Sequence, residues 1–176
     1  MSVVSERHKS AAPKRLSFAI ITVSGSRYDK MIKGQPVEDQ SGDLAERLVR
    51  EKGHKVVLRD LVPNETSKIR SALFKALEGG ADVIVFIGGT GVSPKDVTIE
   101  SIEPLFEKRL PGFGQIFRLL SFNKIGTAAV ASRADAGIIR GALVACIPGS
   151  PDAVSLALQE ILLPEAPHIV FHSREK

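Results

Sequence analysis

The sequence predicts an α/β protein with a doubly wound, mostly parallel sheet. Three segments rich in apolar and β-branched residues (16–23, 55–61 and 82–87) have the composition of strands. The first and third show almost no polar alternation, which is typical of parallel strands covered on both faces. Helical patterns separate the three segments, giving the β-α-β-α-β order of right-handed crossover units.

Length and composition limit the possible classes of protein. The 176 residues, 43% hydrophobic and 25% charged, suffice for one domain with its own core, predicted over 16–176. Residues 1–15 hold four basic residues and one acidic residue, so most of the net charge of +4 lies in a predicted disordered basic tail. With one tyrosine and no tryptophan for base stacking, no nucleic-acid partner is expected.

No apolar run approaches the length of a bilayer span, and the start has no apolar stretch suited to a signal peptide. The single cysteine, Cys146, excludes an intrachain disulfide and a cysteine-based zinc cluster. We therefore expect a cytoplasmic protein with no membrane partner.

The first half contains two predicted helices and one long loop. A helix is predicted over 41–52 with Ser41 as its N-cap, and a second over 65–78 with Asn64 as its N-cap. The polar segment 24–40 is predicted to be a loop, and loops of this length are often functional.

The second half is less regular. Helices are predicted over 99–107, 115–122 and 152–163, and strands over 127–131 and 142–147. Residues 168–172 favour a helix, with a strand as the alternative. Residues 111–114 are expected to interrupt the helical pattern, and Pro164 and Pro167 are expected to end the helix that precedes them. Apolar residues surround the segment 152–163 almost completely, which predicts burial on more than one side, including a subunit contact.

Three segments should converge where ligands bind in such sheets, at the carboxyl ends of the strands: residues 39–42, 88–100 and 148–151. Residues 88–91 read Gly-Gly-Thr-Gly, and glycines allow several N–H groups to point at one anion. The alternative is an ordinary tight turn between a strand and a helix. Neither the P-loop pattern nor the dinucleotide-binding fingerprint occurs in the chain.

Asp96 follows the glycine-rich loop by five residues. A carboxylate there would repel a bare phosphate, but it suits a Mg²⁺ ion that bridges phosphate oxygens. The alternative is that Asp96 or Thr98 only caps the next helix. Ser150, before Pro151, likewise either opens an anion site at a helix N-terminus or is a plain N-cap.

These motifs, taken in order, resemble the MoaB/MogA family of molybdenum cofactor biosynthesis proteins. The similar stretches run from about residue 18 to the C-terminus: Asp39-Gln40-Ser41-Gly42, Gly88-Gly89-Thr90-Gly91, Asp96-Val97-Thr98-Ile99-Glu100, Pro111-Gly112-Phe113-Gly114 with Arg118, Ser132-Arg133, and Pro148-Gly149-Ser150-Pro151. The resemblance implies the three-layer αβα fold of the molybdopterin-binding domain and a homo-oligomer, either a trimer or a hexamer.

The resemblance also implies an activity in molybdenum or tungsten cofactor synthesis. Molybdopterin and ATP would be the substrates, Mg²⁺ the cofactor, and adenylated molybdopterin and pyrophosphate the products. Asp96 and Asn64 would be the catalytic positions, with Asp96 also the Mg²⁺ ligand. The implied substrate-binding residues are Ser24, Asp39, Ser41, Gly42, Gly88, Gly89, Thr90, Gly91, Thr98, Glu100, Ser132, Arg133, Pro148, Gly149 and Ser150.

Two positions depart from the family pattern. Asn64 stands where the family usually has an aspartate, and Lys95 stands where arginine is usual. An asparagine can offer an oxygen to Mg²⁺ but no charge, which leaves a non-catalytic molybdopterin-binding or carrier protein as the alternative. A nucleotide-hydrolysing protein similar to CinA is disfavoured because that group lacks the 111–114 and 132–137 motifs.

Overall fold

The computed structural model describes residues 13–175, so most of the tail predicted over 1–15 lies outside the described residues. The strands are β1 (Ser17–Val23), β2 (Lys55–Val62), β3 (Val83–Ile87), β4 (Lys108–Arg109), β5 (Asp135–Ile139) and β6 (Ala142–Ile147). The α-helices are α1 (Gly25–Ile32), α2 (Gln40–Glu51), α3 (Thr66–Glu78), α4 (Thr98–Ile102), α5 (Pro111–Ile125), α6 (Pro151–Ala157) and α7 (Leu163–Ser173). Two 3₁₀ turns (Glu103–Leu105 and Gly126–Ala131) and a π-helical turn (Leu158–Leu162) complete the described chain.

The six strands form one sheet in the order β2-β1-β3-β6-β5-β4. Neighbours from β2 to β6 pair in parallel, whereas β5 runs antiparallel to both β6 and β4. This arrangement confirms the predicted α/β class with a doubly wound, mostly parallel sheet. The chain turns to opposite sides of β1 to form β2 and β3, and ligands of such sheets bind at the carboxyl end of this switch point.

Helices cover both faces of the sheet. Along β1, Phe18 and Ile20 enter a core shared with α2, α5, α6 and α7, while Ala19 and Ile21 enter a second core shared with α3 and α4. All four side chains are fully buried. The lack of polar alternation in β1 is therefore the signature of a central strand in a three-layer αβα fold.

Three predictions for the first half are wrong. Residues 25–32 of the expected loop form α1, a short and mostly polar helix with no buried side chain. The N-cap of α2 is Asp39, whose side chain accepts a hydrogen bond from the N–H of Gly42, and not Ser41. Helix α3 begins after Glu65 without a side-chain cap, and Asn64 turns towards the glycine-rich loop instead.

The second half differs more from its prediction. Pro111 does not interrupt a helix but occupies the first turn of α5, where its missing N–H costs nothing. The strand predicted over 127–131 is a 3₁₀ turn, because half of the segment Gly126–Ala131 is alanine, a poor strand former. The strand that precedes β6 is instead β5, which lies within a segment that was expected to be a connection.

Pro164 and Pro167 do not end the last helix, which continues from α6 through the π-helical turn into α7. Pro164 lies directly after the π-helical turn, and Pro167 lies inside α7. The expected helix at 168–172 is confirmed as part of α7. The apolar residues of this long helix pack in the chain's own core, which confirms the predicted burial on more than one side; the subunit contact stays a prediction. Within residues 13–175, no helix combines the length and apolarity that crossing a membrane requires.

Candidate active site

The glycine-rich loop follows β3 and lies beside the end of β1. Gly88 and Gly89 have φ angles of 100° and 62°, which non-glycine residues rarely adopt. A Cβ atom on Gly88 would lie only 2.5 Å from the carbonyl oxygen of Val23, so the loop also requires glycine for this close approach. The loop is therefore built to bring its backbone to the switch point of the sheet.

The loop presents backbone donors. The N–H of Gly88 donates to Ile147 at 2.9 Å, whereas the N–H groups of Gly89, Thr90 and Gly91 have no acceptor among residues 13–175. Consecutive unpaired N–H groups in a glycine-rich turn are a common anion-binding arrangement in proteins. This geometry favours the anion-binding interpretation of residues 88–91 over the plain turn.

Thr98 ties the loop to the start of α4. Its hydroxyl donates to the carbonyl oxygen of Gly88 at 2.8 Å, and its N–H donates to the carbonyl oxygen of Gly89 at 2.9 Å. Thr98 is completely buried. Thr98 therefore fixes the position of Gly88 and Gly89 through their carbonyl oxygens.

Asp96 lies at the Gly91 end of the loop. A Cβ atom on Gly91 would lie 2.7 Å from Oδ2 of Asp96, and the same oxygen accepts a hydrogen bond from the N–H of Ser93 at 3.2 Å. The structure thus places the predicted carboxylate next to the unpaired N–H groups.

Arg133 holds the same end of the loop in place. One of its terminal nitrogens donates to the carbonyl oxygen of Gly91 at 3.0 Å, and the other donates to Oε1 of Glu100. Burial alone would raise the pKa of Glu100, but the hydrogen bond and the charge of Arg133 outweigh it and lower that pKa. Glu100 therefore forms an ion pair with Arg133 and orients it for its hydrogen bond to Gly91.

Asn64 lies at the Gly89 end. Its Oδ1 is buried without a hydrogen-bond partner, 2.7 Å from where a Cβ atom on Gly89 would be. The two predicted catalytic positions, Asp96 and Asn64, therefore flank the loop at its two ends.

The loop at 148–150 lies against the glycine-rich loop. A Cβ atom on Gly149 would lie 3.2 Å from the Cα of Gly88, and the buried hydroxyl of Ser41 donates to the carbonyl oxygen of Gly149 at 2.7 Å. Ser150 caps α6 by accepting from the N–H of Ala153 at 3.3 Å. The second and third predicted segments thus meet at Gly88.

Asp39 acts on the site indirectly, as the N-cap of α2. Its carboxylate accepts from the hydroxyl of Thr22 at 2.5 Å, from Arg59 at 2.9 Å and from the N–H of Gly42 at 3.1 Å. Burial would raise the pKa of Asp39, but these hydrogen bonds and the Arg59 charge together lower it. Protein groups occupy its oxygens, so Asp39 fixes the position of Ser41 and Gly42. Ser24, another predicted site residue, is the N-cap of α1.

Two cavities are lined by residues that contact the loop or are next to such residues: Arg133 in one, and Pro148 and Ser150 in the other. The first, which we call the Arg118 cavity, has a volume of about 290 Å³ and is lined by Ile99, Glu103, Arg109, Pro111, Gly114, Gln115, Arg118, Arg133, Ala134 and Asp135. The second, the Ser132 cavity, has a volume of about 170 Å³ and is lined by Phe117, Ser121, Lys124, Ile125, Ser132, Pro148, Ser150, Asp152, Ala153 and Leu156.

Sequence reasoning missed most of these lining residues. Arg118 belongs to a recognised stretch, which was a usable signal, but no role was assigned to it. Glu103 and Asp135 carried no signal, since the sequence does not reveal that the 3₁₀ turn Glu103–Leu105 and β5 meet at one cavity.

Several known proteins are similar to this chain in sequence or structure. A family model described as a probable molybdopterin binding domain matches residues 19–168. A molybdopterin adenylyltransferase of Pyrococcus furiosus is 45% identical over 174 residues, covering 97% of this chain and 98% of that protein. Molybdenum cofactor biosynthesis protein B of Bacillus subtilis is 41% identical, covering 97% of each chain.

A crystal structure shows the same likeness in three dimensions. The structure of the tungsten cofactor synthesizing protein MoaB from Pyrococcus furiosus has a TM-score of 0.83 and 45% identity, covering 93% of this chain and all of that one. The chain therefore belongs to the molybdopterin-binding-domain family that includes MoaB.

Proposed function

We propose that the protein is a molybdopterin adenylyltransferase that uses Mg²⁺ and ATP in the synthesis of the molybdenum or tungsten cofactor. The observation that carries the proposal is the row of three unpaired N–H groups at residues 89–91, with the Asp96 carboxylate beside it. The relative from Pyrococcus furiosus with that name supports the choice of substrates.

The reaction joins two phosphate-bearing molecules. An oxygen of the terminal phosphate of molybdopterin forms a bond to the α-phosphorus of ATP, and the bond from that phosphorus to the bridging β-phosphate oxygen breaks. The products are adenylated molybdopterin and pyrophosphate. The nucleophile already carries negative oxygens, so the protein needs no strong base, and its contributions are positioning and charge stabilisation.

Each site residue has a defined part in that work. The N–H groups of residues 89–91 bind phosphate oxygens, Thr98 and Arg133 keep the loop rigid, and residues 148–150 close it from the side. Pre-organised donors of this kind stabilise developing charge without having to reorient during the reaction.

The oxygen donors present suit Mg²⁺. The ion prefers one or two carboxylates together with substrate phosphates over a complete protein cage. Asp96 provides one carboxylate, and the unpartnered Oδ1 of Asn64 is an available acceptor at the other end of the loop. When bound, the ion would screen the charge of the phosphates, with Asp96 as its protein ligand.

Asn64 favours a second candidate, a molybdopterin-binding or carrier protein without turnover. A neutral amide contributes no charge to a cation site, so affinity for Mg²⁺ falls relative to a carboxylate. The variant Asn64→Asp separates the candidates in a steady-state assay of adenylated molybdopterin. A rate gain of about 10-fold or less fits an active natural enzyme, whereas activity that appears only in the variant identifies a carrier.

The direct test of the proposal is turnover by the wild type and by Asp96→Asn. We expect adenylated molybdopterin and pyrophosphate in equal amounts from the wild type, and a loss of about 10²–10³-fold in kcat for the variant. Asp43→Asn is the matched control, because Asp43 is exposed on α2 and forms only a surface ion pair with Arg59. Normal turnover by Asp96→Asn would refute the assigned role of Asp96.

We further propose that the protein is a homo-oligomer, either a trimer or a hexamer. Helix α5 and the turn after it expose five large apolar side chains: Ile116, Leu119, Phe122, Ile125 and Val130. Val130 is 88% exposed, and contiguous apolar patches of this kind usually mark an association surface. Phe122→Lys should shift the mass measured by light scattering towards the monomer, and an unchanged mass would place the interface elsewhere.

A cytoplasmic location stays a prediction.

A further inference from the structure

Arg59, on the edge strand β2, joins that strand to the start of α2. One of its terminal nitrogens donates to Oδ2 of Asp39 at 2.9 Å and to Oδ1 of Asp43 at 3.2 Å, and its Nε lies 3.4 Å from Oε2 of Glu46. Asp43 is exposed, but the side chains of Arg59 and Asp39 are only 24% and 14% exposed. Water therefore weakens the Arg59–Asp39 pair less than it weakens a surface pair, and Arg59 acts mainly on Asp39.

Asp39 connects Arg59 to the first turn of α2. As the N-cap, it accepts from the N–H of Gly42 through Oδ1 at 3.1 Å, and its Oδ2 accepts from the hydroxyl of Thr22 at 2.5 Å. A Cβ atom on Gly42 would overlap the guanidinium of Arg59, so the guanidinium lies against the helix backbone. Asp39 and Arg59 together thus fix where α2 begins.

The first turn of α2 in turn holds the loop that follows β6. The buried hydroxyl of Ser41 donates to the carbonyl oxygen of Gly149 at 2.7 Å. Gly149 lies against Gly88, since a Cβ atom on Gly149 would be 3.2 Å from the Cα of Gly88. A continuous series of contacts therefore runs from Arg59 through Asp39 and Ser41 to the glycine-rich loop.

Charged side chains meet at the Asp39 carboxylate from β2 and α2. They are Arg59, Asp43, Glu46 and Arg50, the last of which pairs with Glu46. Arg27 of α1 donates to the carbonyl oxygen of Glu38 and not to the carboxylate of Asp39. Arg59 is thus the cation that pairs with Asp39.

This pairing also keeps Asp39 ionised. Burial would raise the pKa of Asp39, but the hydrogen bonds from Thr22, Arg59 and Gly42, together with the Arg59 charge, lower that pKa. Without Arg59 the burial remains and the cation is lost, so the pKa of Asp39 rises. A protonated Asp39 is a weaker acceptor for the N–H groups at the start of α2.

We infer that Arg59 is a positioning residue of the site, which acts through Asp39 and Ser41 to fix the loop 148–150 against the glycine-rich loop. The inference rests on the proposed adenylyl transfer for the reaction that this positioning serves. Arg59 lines neither the Arg118 cavity nor the Ser132 cavity. Its loss should therefore lower kcat more than it raises either KM.

The first test is the steady-state kinetics of Arg59→Met over a range of pH. We expect kcat at about pH 7 to fall about 10-fold, with each KM within about threefold of the wild-type value. The loss should deepen as the pH falls towards about 5, because Asp39 then takes up a proton that the wild type excludes. Arg59→Lys keeps the positive charge and should restore the wild-type pH profile.

Arg50→Met is the matched control. Arg50 is an exposed arginine on α2 that pairs with Glu46, so the control removes a positive charge from the same network without removing a partner of Asp39. We expect wild-type kinetics from it. A role of Arg59 in stability alone would lower the free energy of unfolding and leave the pH profile unchanged. The same kcat and pH profile in both methionine variants, or a pH dependence that persists in Arg59→Lys, would overturn the inference.

The second test does not require turnover. NMR follows the carboxyl carbon of Asp39 and the amide signals of Gly88 and Gly149 from about pH 7 to about pH 4. In Arg59→Met we expect both glycine amides to shift together with Asp39, at a higher pH than in the wild type or in Arg50→Met. If Arg59→Met does not fold, the same amides should shift with Asp39 below about pH 4 in the wild type.

The NMR result separates the inference from the proposed function. Glycine amides that do not follow Asp39 would overturn the inference, even in a protein that turns over. If the amides follow Asp39 but the wild type forms no adenylated molybdopterin, the proposed function fails and the positioning role of Arg59 stands.

Discussion

The buried hydroxyl of Thr98 offers a direct test of how the glycine-rich loop is held. Thr98→Val keeps the shape of the side chain and removes the donor to the carbonyl oxygen of Gly88, which is 2.8 Å away. That carbonyl accepts no other hydrogen bond within residues 13–175. Leaving a buried acceptor unpaired costs about 1–3 kcal/mol, so the free energy of unfolding should fall by that amount.

Thr98→Ser is the matched variant. It keeps the hydroxyl and loses one buried methyl group, which costs about 1 kcal/mol. Urea denaturation measures both free energies of unfolding, and an adenylyl-transfer assay measures the effect on the loop. We expect Thr98→Ser to keep most of its kcat and Thr98→Val to lose about 10-fold or more, because the N–H groups of residues 89–91 are no longer held in place. Equal kcat values for the two variants would refute the view that this hydrogen bond positions the loop.

Two further predictions concern the periphery of the site. Gly42→Ala should lower the free energy of unfolding by about 1–3 kcal/mol in urea denaturation, because the new methyl group would collide with the Asp39–Arg59 pair. Alanine is the better helix former, so a stabilised variant would contradict this reasoning. His54 is buried and its Nδ1 accepts from the N–H of Leu16 at 3.2 Å, so burial lowers its pKa from 6.5 in the folded state. The unfolded chain then binds a proton first as the pH falls, so the free energy of unfolding should be level above pH 6.5 and decline below it. Denaturation of wild type and His54→Asn over that pH range checks this, and an equal decline in both would exclude His54 as the cause.

The sequence predicted the central elements well for a physical reason. Strands β1, β3 and β6 are buried on both faces, so their composition alone distinguishes them. Helix α1 was missed because none of its side chains is buried. Strand β5 was missed because it contains an aspartate and a glycine, and its antiparallel position beside β6 depends on contacts from distant segments.

The parts of the candidate site that lie close together in the sequence were predictable, and the parts that depend on distant contacts were not. Glycines after a buried strand predicted a tight glycine-rich turn with free N–H groups, and the nearby Asp96 was visible in the same stretch. The role of Asp39 was less visible, because its network with Thr22 and Arg59 joins residues far apart in the chain. The Arg118 cavity depends on the close packing of α5 against residue 134, which no local pattern encodes.

We propose above that residues 89–91 and Asp96 bind ATP together with Mg²⁺. Calorimetric titration of the wild type and of Asp96→Asn with ATP, with and without Mg²⁺, tests it most directly. We predict that binding to the wild type is at least about 10-fold tighter with Mg²⁺, and that Asp96→Asn abolishes this gain. Binding that is equally strong without Mg²⁺, or that is the same in both proteins, would contradict the claim.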